Sequence, residues 1–198
     1  MKTGVLRRAR ELAEAEARQE PRALWIVRKR RVRKAAYASA ARRTLQGPAF
    51  GVACRVEDAR GRVLLVRPPL RRGSRPRWVT PGGGGRKGET PREAVRREVR
   101  EETGGALREL TLWKVYDEEL QAPDGRRLSW VFLQYRARWK GGVPRPRDRG
   151  EIAEARWFHR LPANMDWRED WLRKRPGGGT PARSAKDPRR ALPAVVRQ

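Results

Sequence analysis

Three glutamates, Glu98, Glu101 and Glu102, have the residue type and the spacing that a divalent metal site requires. With about 3.6 residues per helical turn, positions i, i+3 and i+4 share one face of an α-helix. Carboxylates on one face repel one another, and hard cations such as Mg²⁺ or Mn²⁺, which prefer oxygen ligands, would neutralise them. This spacing favours metal-assisted chemistry on a phosphate chain. The alternative is a solvated acidic face among the arginines of the same segment.

The residues around these glutamates predict a helix that begins at Thr90 and ends at Gly104. Thr90 is a suitable N-cap, Pro91 fits the first helical position, and Glu93 completes a capping box. Gly104 is typical of a helix C-terminus. The preceding glycine run, residues 82–85, permits positive φ angles and close backbone approach, although four glycines are also typical of a plain flexible loop.

Residues 83–105 resemble the Nudix box, the signature of the Nudix hydrolase family. The family pattern is G-x5-E-x7-R-E-U-x-E-E-x-G-U, in which U is a bulky apolar residue. The last position departs from the pattern, because this chain has Gly105 there. The departure puts one packing contact in doubt, and it affects no metal ligand. The resemblance covers about residues 48–162. The matching positions are Gly83, Glu89, Arg97, Glu98, Val99, Glu101, Glu102 and Gly104.

The resemblance implies a Mg²⁺- or Mn²⁺-dependent hydrolase that cleaves a phosphoanhydride bond in a nucleoside diphosphate linked to another group. Glu101 and Glu102 are the expected main metal ligands, and a backbone carbonyl near Gly83 is a further one. Glu98 is expected to be a ligand or the general base. Family members differ in the base they use, so Glu151, outside the box, is a second candidate; an exposed acid at a strand end is its alternative.

Two further residues of the box have expected supporting roles. Arg97 neighbours Glu93 and Glu101 on the predicted helix, so it could hold a carboxylate in place by charge-assisted hydrogen bonds. Glu89 precedes the helix and could orient the loop or the residues around the metal. The candidate catalytic residues are therefore Glu98, Glu101, Glu102, Arg97 and Glu151.

The segment before the box supplies candidate substrate-binding residues. Its arginines could receive a phosphate, because guanidinium groups match phosphate geometry. Trp78 is a candidate platform for a base or ribose, as are Trp113 and Trp130, although tryptophans at strand positions are also typical core residues. The residue types do not determine the substrate. The arginines are Arg71, Arg72, Arg75 and Arg77.

The chain carries a formal net charge of +26, which attracts polyanions. Residues 1–46 hold 14 basic and 4 acidic side chains, and residues 47–162 hold 26 and 15. The run at 28–34 lacks interleaved aromatic residues, so contact with nucleic acid would be electrostatic and sensitive to salt. A second hypothesis is thus a Nudix-fold module that binds nucleotide or RNA without catalysis. The alternative is compositional, because abundant Arg, Ala, Gly and Pro are typical of a GC-rich genome.

Predicted strands and helices alternate along the middle of the chain. This alternation predicts an α/β or α+β fold with a mixed sheet. The resemblance implies an α/β/α sandwich in which the box helix packs on the sheet. The predicted strands are 49–57, 62–67, 107–119, 128–139 and 151–158, with a turn at 122–125.

Three regions are predicted along the chain. Residues 1–46 form a basic, helical extension, since residues 5–20 have strong helix propensity. Residues 47–163 form the hydrolase domain. Residues 164–198 form a tail rich in Gly, Pro and Arg that is expected to be partly mobile.

Cysteine usage and hydropathy predict a cytoplasmic protein. Cys54 is the only cysteine, so no intramolecular disulfide can form, and it lies in an apolar run typical of the core. No apolar stretch approaches the ~18–20 residues that span a membrane, and no signal-peptide pattern is present. The expected partner is a nucleotide-derived small molecule, and a homodimer is expected from the resemblance alone.

Overall fold

The computed structural model describes residues 3–46, 50–70, 77–166, 171 and 195–197. Within these residues the chain forms three helices and eight strands. The helices are α1 (Thr3–Gln19), α2 (Lys34–Gln46) and α3 (Pro91–Thr103). The strands are β1 (Leu24–Arg31), β2 (Phe50–Glu57), β3 (Val63–Arg67), β4 (Gly82–Gly84), β5 (Leu107–Gln121), β6 (Arg127–Trp139), β7 (Glu154–Phe158) and β8 (Val195–Arg197).

The strands form one mixed sheet with the order β7-β3-β2-β6-β5-β1-β8, and β4 pairs with β2 off this path. β1 is parallel to β5 and to β8, and β2 is parallel to β6. The long β5–β6 pair is antiparallel and joined by the predicted turn. The predicted mixed sheet is confirmed. Four of the five strand predictions match within about two residues at each end, whereas β7 begins only at Glu154 because residues 151–153 lie in a turn.

Helices cover both faces of the sheet. Ala9, Ala13 and Ala17 of α1 repeat at every fourth position and are fully buried, and they pack in one cluster with Val95 of α3. On the other face, Tyr37 of α2 packs with residues of β5 and β6. Successive residues of β6 point to opposite faces, so the strand contributes to both clusters. The predicted α/β/α layering is confirmed.

The prediction that residues 1–46 are helical is wrong for residues 24–31, which form β1. Trp25 and Ile26 are buried, and the strand lies along β5, where it completes the sheet. Helix propensity could not reveal this, because a strand on an existing sheet is stabilised by its neighbour. The division of the chain into three regions stays a prediction. In the part of the chain that the structure describes, no helix is long and apolar enough to cross a membrane.

Candidate active site

The helix that carries the glutamates begins and ends as the sequence predicts. The Thr90 hydroxyl accepts a hydrogen bond from the Glu93 backbone N–H, and the Glu93 carboxylate accepts one from the Thr90 N–H at 2.9 Å. At the other end Gly104 has φ 71°, and its N–H donates to the Arg100 carbonyl. Both caps fix the ends of α3, which packs on one face of the sheet, so its side chains project from a rigid element.

The glycine strand β4 lies directly against the acidic face of α3. The Gly82 N–H donates to Glu102 Oε2 at 2.9 Å. A Cβ atom at Gly83 would lie 2.4 Å from Glu98 Oε1, so a larger residue would displace that carboxylate. A Cβ at Gly85 would likewise overlap the ring of Phe50. Close packing therefore requires these glycines, and the run is more than a flexible loop.

Two of the three glutamates are buried. Glu98 is 8% exposed and Glu102 is 7% exposed. Burial raises the pKa of Glu102 to about 8, although the Gly82 N–H opposes the shift, and the charge of Glu98 adds to it. Burial also raises the pKa of Glu98, against the opposing effect of Arg97. Both carboxylates thus lie where an added positive charge would be favourable.

Arg97 lies at the centre of the carboxylate network. Its Nε donates to Glu89 at 2.8 Å, and its Nη1 donates to Glu98 at 2.8 Å and to Glu101 at 3.0 Å. Its Nη2 donates to the Gly84 carbonyl at 2.9 Å, which ties β4 to the helix. The expected pairing with Glu101 is present. Glu89 and Glu98 are additional partners, whereas Glu93, the other expected neighbour, serves the helix cap instead.

Arg86 is a site residue that the sequence reasoning missed. Its Nη2 lies 3.1 Å from both carboxylate oxygens of Glu101, and its backbone N–H donates to Glu89 at 2.8 Å. Burial, which would raise the pKa of Glu89, is outweighed by the hydrogen bonds from Arg97 and Arg86, so this pKa is lowered. The only sequence signal was the position of Arg86 directly after the glycine run.

The donor atoms fit a hard divalent cation, but their present arrangement does not form a complete site. Among the residues with described coordinates, no three acidic, histidine or cysteine side chains are grouped closely enough to hold a metal ion. Glu98 and Glu101 direct oxygens at Arg97. The carboxylates are the oxygen ligands that Mg²⁺ prefers, and the buried Glu102 has no cationic partner among the ion pairs of the described residues. A metal ion would therefore have to replace part of the ion pairing that Arg97 makes with Glu98 and Glu101.

Glu151 is exposed in the turn before β7, where its N–H donates to the Asp148 carbonyl at 3.3 Å. Its negative charge contributes to the raised pKa values of both Glu98 and Glu102. The charge of Glu151 thus acts on the helix face, and its exposure also fits the alternative, an exposed acid at a strand end. Its role as a base stays a prediction.

The candidate substrate residues are less closely tied to the site. Arg77 is exposed and forms an ion pair with Asp166. Trp78 is 7% exposed, and its ring packs edge-on against Phe158 with centroids 4.7 Å apart, which leaves little surface for stacking on a base. Trp113 and Trp130 are also buried. Arg71, Arg72 and Arg75 lie outside the described residues.

Gly105, the one departure from the box, has a structural explanation. A Cβ atom there would lie 1.6 Å from Cη2 of Trp139. The indole of Trp139 donates from Nε1 to the Gly142 carbonyl at 2.9 Å, which holds the ring in this place. The large side chain after the helix is therefore supplied by β6, and the helix itself is unchanged.

A model of the NUDIX domain family matches residues 47–174 of this chain. The match includes β4, α3 and the sheet strands that hold them. The class of the protein follows from this match together with the capped glutamate helix. The chain belongs to the NUDIX family and is a Nudix hydrolase.

Several known proteins are similar to part of this chain. A Mycobacterium tuberculosis protein (strain CDC 1551 / Oshkosh) named "Putative 8-oxo-dGTP diphosphatase 2" is 33% identical over 116 residues, which are 54% of this chain and 75% of the relative. The MutT NUDIX hydrolase from Burkholderia pseudomallei is 32% identical, with a TM-score of 0.45, over 56% of this chain and 81% of that one. The mutator MutT protein from Bacillus halodurans is 28% identical, with a TM-score of 0.45, over 55% and 66%.

Proposed function

We propose that this Nudix hydrolase is a Mg²⁺- or Mn²⁺-dependent pyrophosphohydrolase that cleaves a nucleoside diphosphate linked to another moiety. The observation that carries this proposal is the pair of buried carboxylates, Glu98 and Glu102, packed against the glycine strand with raised pKa values. These two, Glu101 and the backbone carbonyl at Gly83 would hold the ion. When bound, the ion screens phosphate oxygens and lowers the pKa of a coordinated water.

The side chains divide the remaining work. Glu98 serves as a ligand or takes the proton of the attacking water, a role for which a raised pKa is suited. Glu151 is the second candidate for that proton. Arg97 positions Glu98 and Glu101 through hydrogen bonds of 2.8 and 3.0 Å, and Glu89 in turn holds Arg97.

The substrate belongs to the nucleotide-derived small molecules. The name of the Mycobacterium tuberculosis relative makes 8-oxo-dGTP the first compound to test. Arg77 is an exposed candidate for phosphate contact if its pairing with Asp166 opens. A cytoplasmic location, a homodimer and a nucleic-acid partner are further parts of the proposal that need their own tests.

The test is a substrate panel on the full-length protein with product detection. The panel contains 8-oxo-dGTP, normal nucleoside triphosphates, ADP-ribose, dinucleoside polyphosphates, sugar nucleotides and 5′-triphosphate RNA, each with Mg²⁺, with Mn²⁺ and with excess EDTA. We expect at least one compound to release a nucleotide product with metal and none with EDTA. Equal rates with EDTA, or no turnover of any compound, would contradict the proposal.

A further inference from the structure

An open recess lies at the C-terminal end of α3, outside the residues assigned to the metal. We call it the C-terminal recess. Its volume is about 300 Å³, and four of its lining residues are glycine or alanine. The other three lining residues are basic. The lining residues are Arg100, Gly104, Gly105, Ala106, Lys140, Gly141 and Arg147.

The recess exists because the loop after β6 folds back onto the end of the helix. The Arg145 N–H donates to the Thr103 carbonyl at 2.8 Å, and the Arg147 N–H donates to the Glu101 carbonyl at 3.3 Å. Gly104 permits this approach, since a Cβ atom there would lie 2.8 Å from the Arg145 carbonyl oxygen. The loop thus satisfies helix-end carbonyls by backbone contacts.

The three cations of the recess lack acidic partners. Arg100, Lys140 and Arg147 are exposed, and within the described ranges their side chains form no ion pair or hydrogen bond. The neighbouring acid Asp148 accepts a hydrogen bond from the Gly150 N–H at 2.7 Å. By contrast, Arg97 on the same helix contacts three carboxylates. The recess therefore presents uncompensated positive charge, which attracts phosphate.

The recess is close to the candidate metal ligands along the helix. With a rise of about 1.5 Å per residue, Gly104 lies within one helical turn of both Glu101 and Glu102. The backbone contact of Arg147 with Glu101 joins the two regions directly. A phosphate chain held beside Glu101 could therefore extend to Arg147, whereas Arg100 lies about 200° around the helix axis from Glu98.

We propose that the C-terminal recess binds a phosphate group of an oligophosphate chain, beyond the bond that is cleaved. It would make the enzyme favour substrates with three or more phosphates over those with two. This inference rests on the proposed function, because it extends the same site. Cations at a helix C-terminus also interact favourably with the helix dipole, but that effect does not require three of them around a concave floor.

Direct binding of inorganic tripolyphosphate tests the recess without catalysis. The variant is Arg100→Gln with Lys140→Gln and Arg147→Gln, and the matched control is Arg31→Gln with Arg33→Gln and Lys34→Gln. The control removes the same charge from exposed residues at the end of β1 and the start of α2. By calorimetry in EDTA, we expect roughly tenfold weaker binding in the recess variant and less than twofold in the control. Equal losses, or no loss in the recess variant, would overturn the inference.

A kinetic measurement separates this inference from the proposed function. We expect kcat/KM of the recess variant to fall about tenfold for a substrate with three or more phosphates and to stay within twofold for a diphosphate-linked one. Turnover that is unchanged on both would refute the recess alone. If the wild type binds tripolyphosphate at the recess but hydrolyses no nucleotide, the proposed function fails separately. Oligonucleotides with and without a 5′-phosphate give a further check. If the recess variant loses binding to both kinds equally, the recess is a site for the nucleic-acid backbone, and the inference is overturned.

Discussion

The strand β1 carries a run of basic residues and the helix α3 carries three glutamates on one face, and the fold treats the two groups differently. On β1, Arg28 donates to Glu118 at 2.6 Å, and Arg30 lies 3.4 Å from the same carboxylate. On α3, one guanidinium is shared among several carboxylates, and Glu102 has no cationic partner among the ion pairs of the described residues. A cluster of like charge indicates a functional site where the fold leaves it uncompensated. Substitutions in the two elements test that contrast.

The largest effect is expected at Glu102, whose carboxylate has no cationic partner among the ion pairs of the described residues. Glu102→Gln keeps the acceptor for the Gly82 N–H but removes the charge, so metal-dependent turnover should fall about 100-fold or more. Glu109→Gln is the control, because its side chain is 64% exposed on β5. Steady-state rates with Mg²⁺ measure the effect. If Glu102→Gln retained the control's rate, the assignment of this residue would be wrong.

The buried carboxylate should also make the metal-free protein lose stability as pH rises. The pKa of Glu102 is about 8 in the folded state and 4.5 ordinarily, so the folded protein retains a proton that the unfolded chain releases. The stabilisation is complete below the ordinary pKa and is lost as pH rises through the folded value. It is on the order of a few kcal/mol. Urea unfolding in EDTA between pH 5 and about pH 9 measures how the free energy of unfolding changes with pH. Glu102→Gln should make that change smaller. Equal pH dependence in the wild type and the variant would contradict the raised pKa of Glu102.

The ion pair between α1 and α3 comes next in size. Arg92 Nε lies 2.7 Å from Glu16, and its guanidinium also donates to Glu20 at 2.9 Å and to the Leu110 carbonyl at 2.8 Å. Arg92→Ala would leave Glu16 buried without its partner and should lower the free energy of unfolding by about 3 kcal/mol. Adding Glu16→Gln to Arg92→Ala should restore part of the lost free energy of unfolding. A loss below about 0.5 kcal/mol would mean that this ion pair does not stabilise the packing of α1 against the box helix.

The smallest expected effect is the difference in stability loss between substitutions of two arginines on β1, Arg28 and Arg31. Arg28→Gln leaves the 4% exposed side chain of Glu118 with one arginine fewer and should cost about 1–2 kcal/mol. Arg31→Gln, at an exposed position, should cost less than about 0.5 kcal/mol. Denaturant unfolding of both variants measures the difference. Equal losses would show that the pairing with β5 contributes nothing.

Much of the site was readable because its signals are local. The N-cap at Thr90, the capping box with Glu93 and the C-cap at Gly104 depend on neighbours within one or two turns, and all are present in the structure. The strands β5 and β6 followed from apolar alternation and the turn between them. Such features are fixed by spacing along the chain, so a single sequence suffices to predict them.

Other parts depend on contacts between distant residues. β1 is a strand because β5, some ninety residues later, offers it a parallel partner, and the family match begins only at residue 47. Gly105 is tolerated because Trp139 fills its space from another strand. Arg86 joined the site through contacts with Glu101 across the loop. No local pattern could reveal these pairings.

Metal binding tests the central claim most directly. Titration of the metal-free wild type with Mn²⁺, followed by electron paramagnetic resonance, should show one bound ion per chain, and Glu98→Gln with Glu102→Gln should weaken that binding at least tenfold. The Glu109→Gln protein should bind as the wild type does. If the doubly substituted protein bound Mn²⁺ with wild-type affinity, the ion would lie elsewhere and the account of α3 would be wrong.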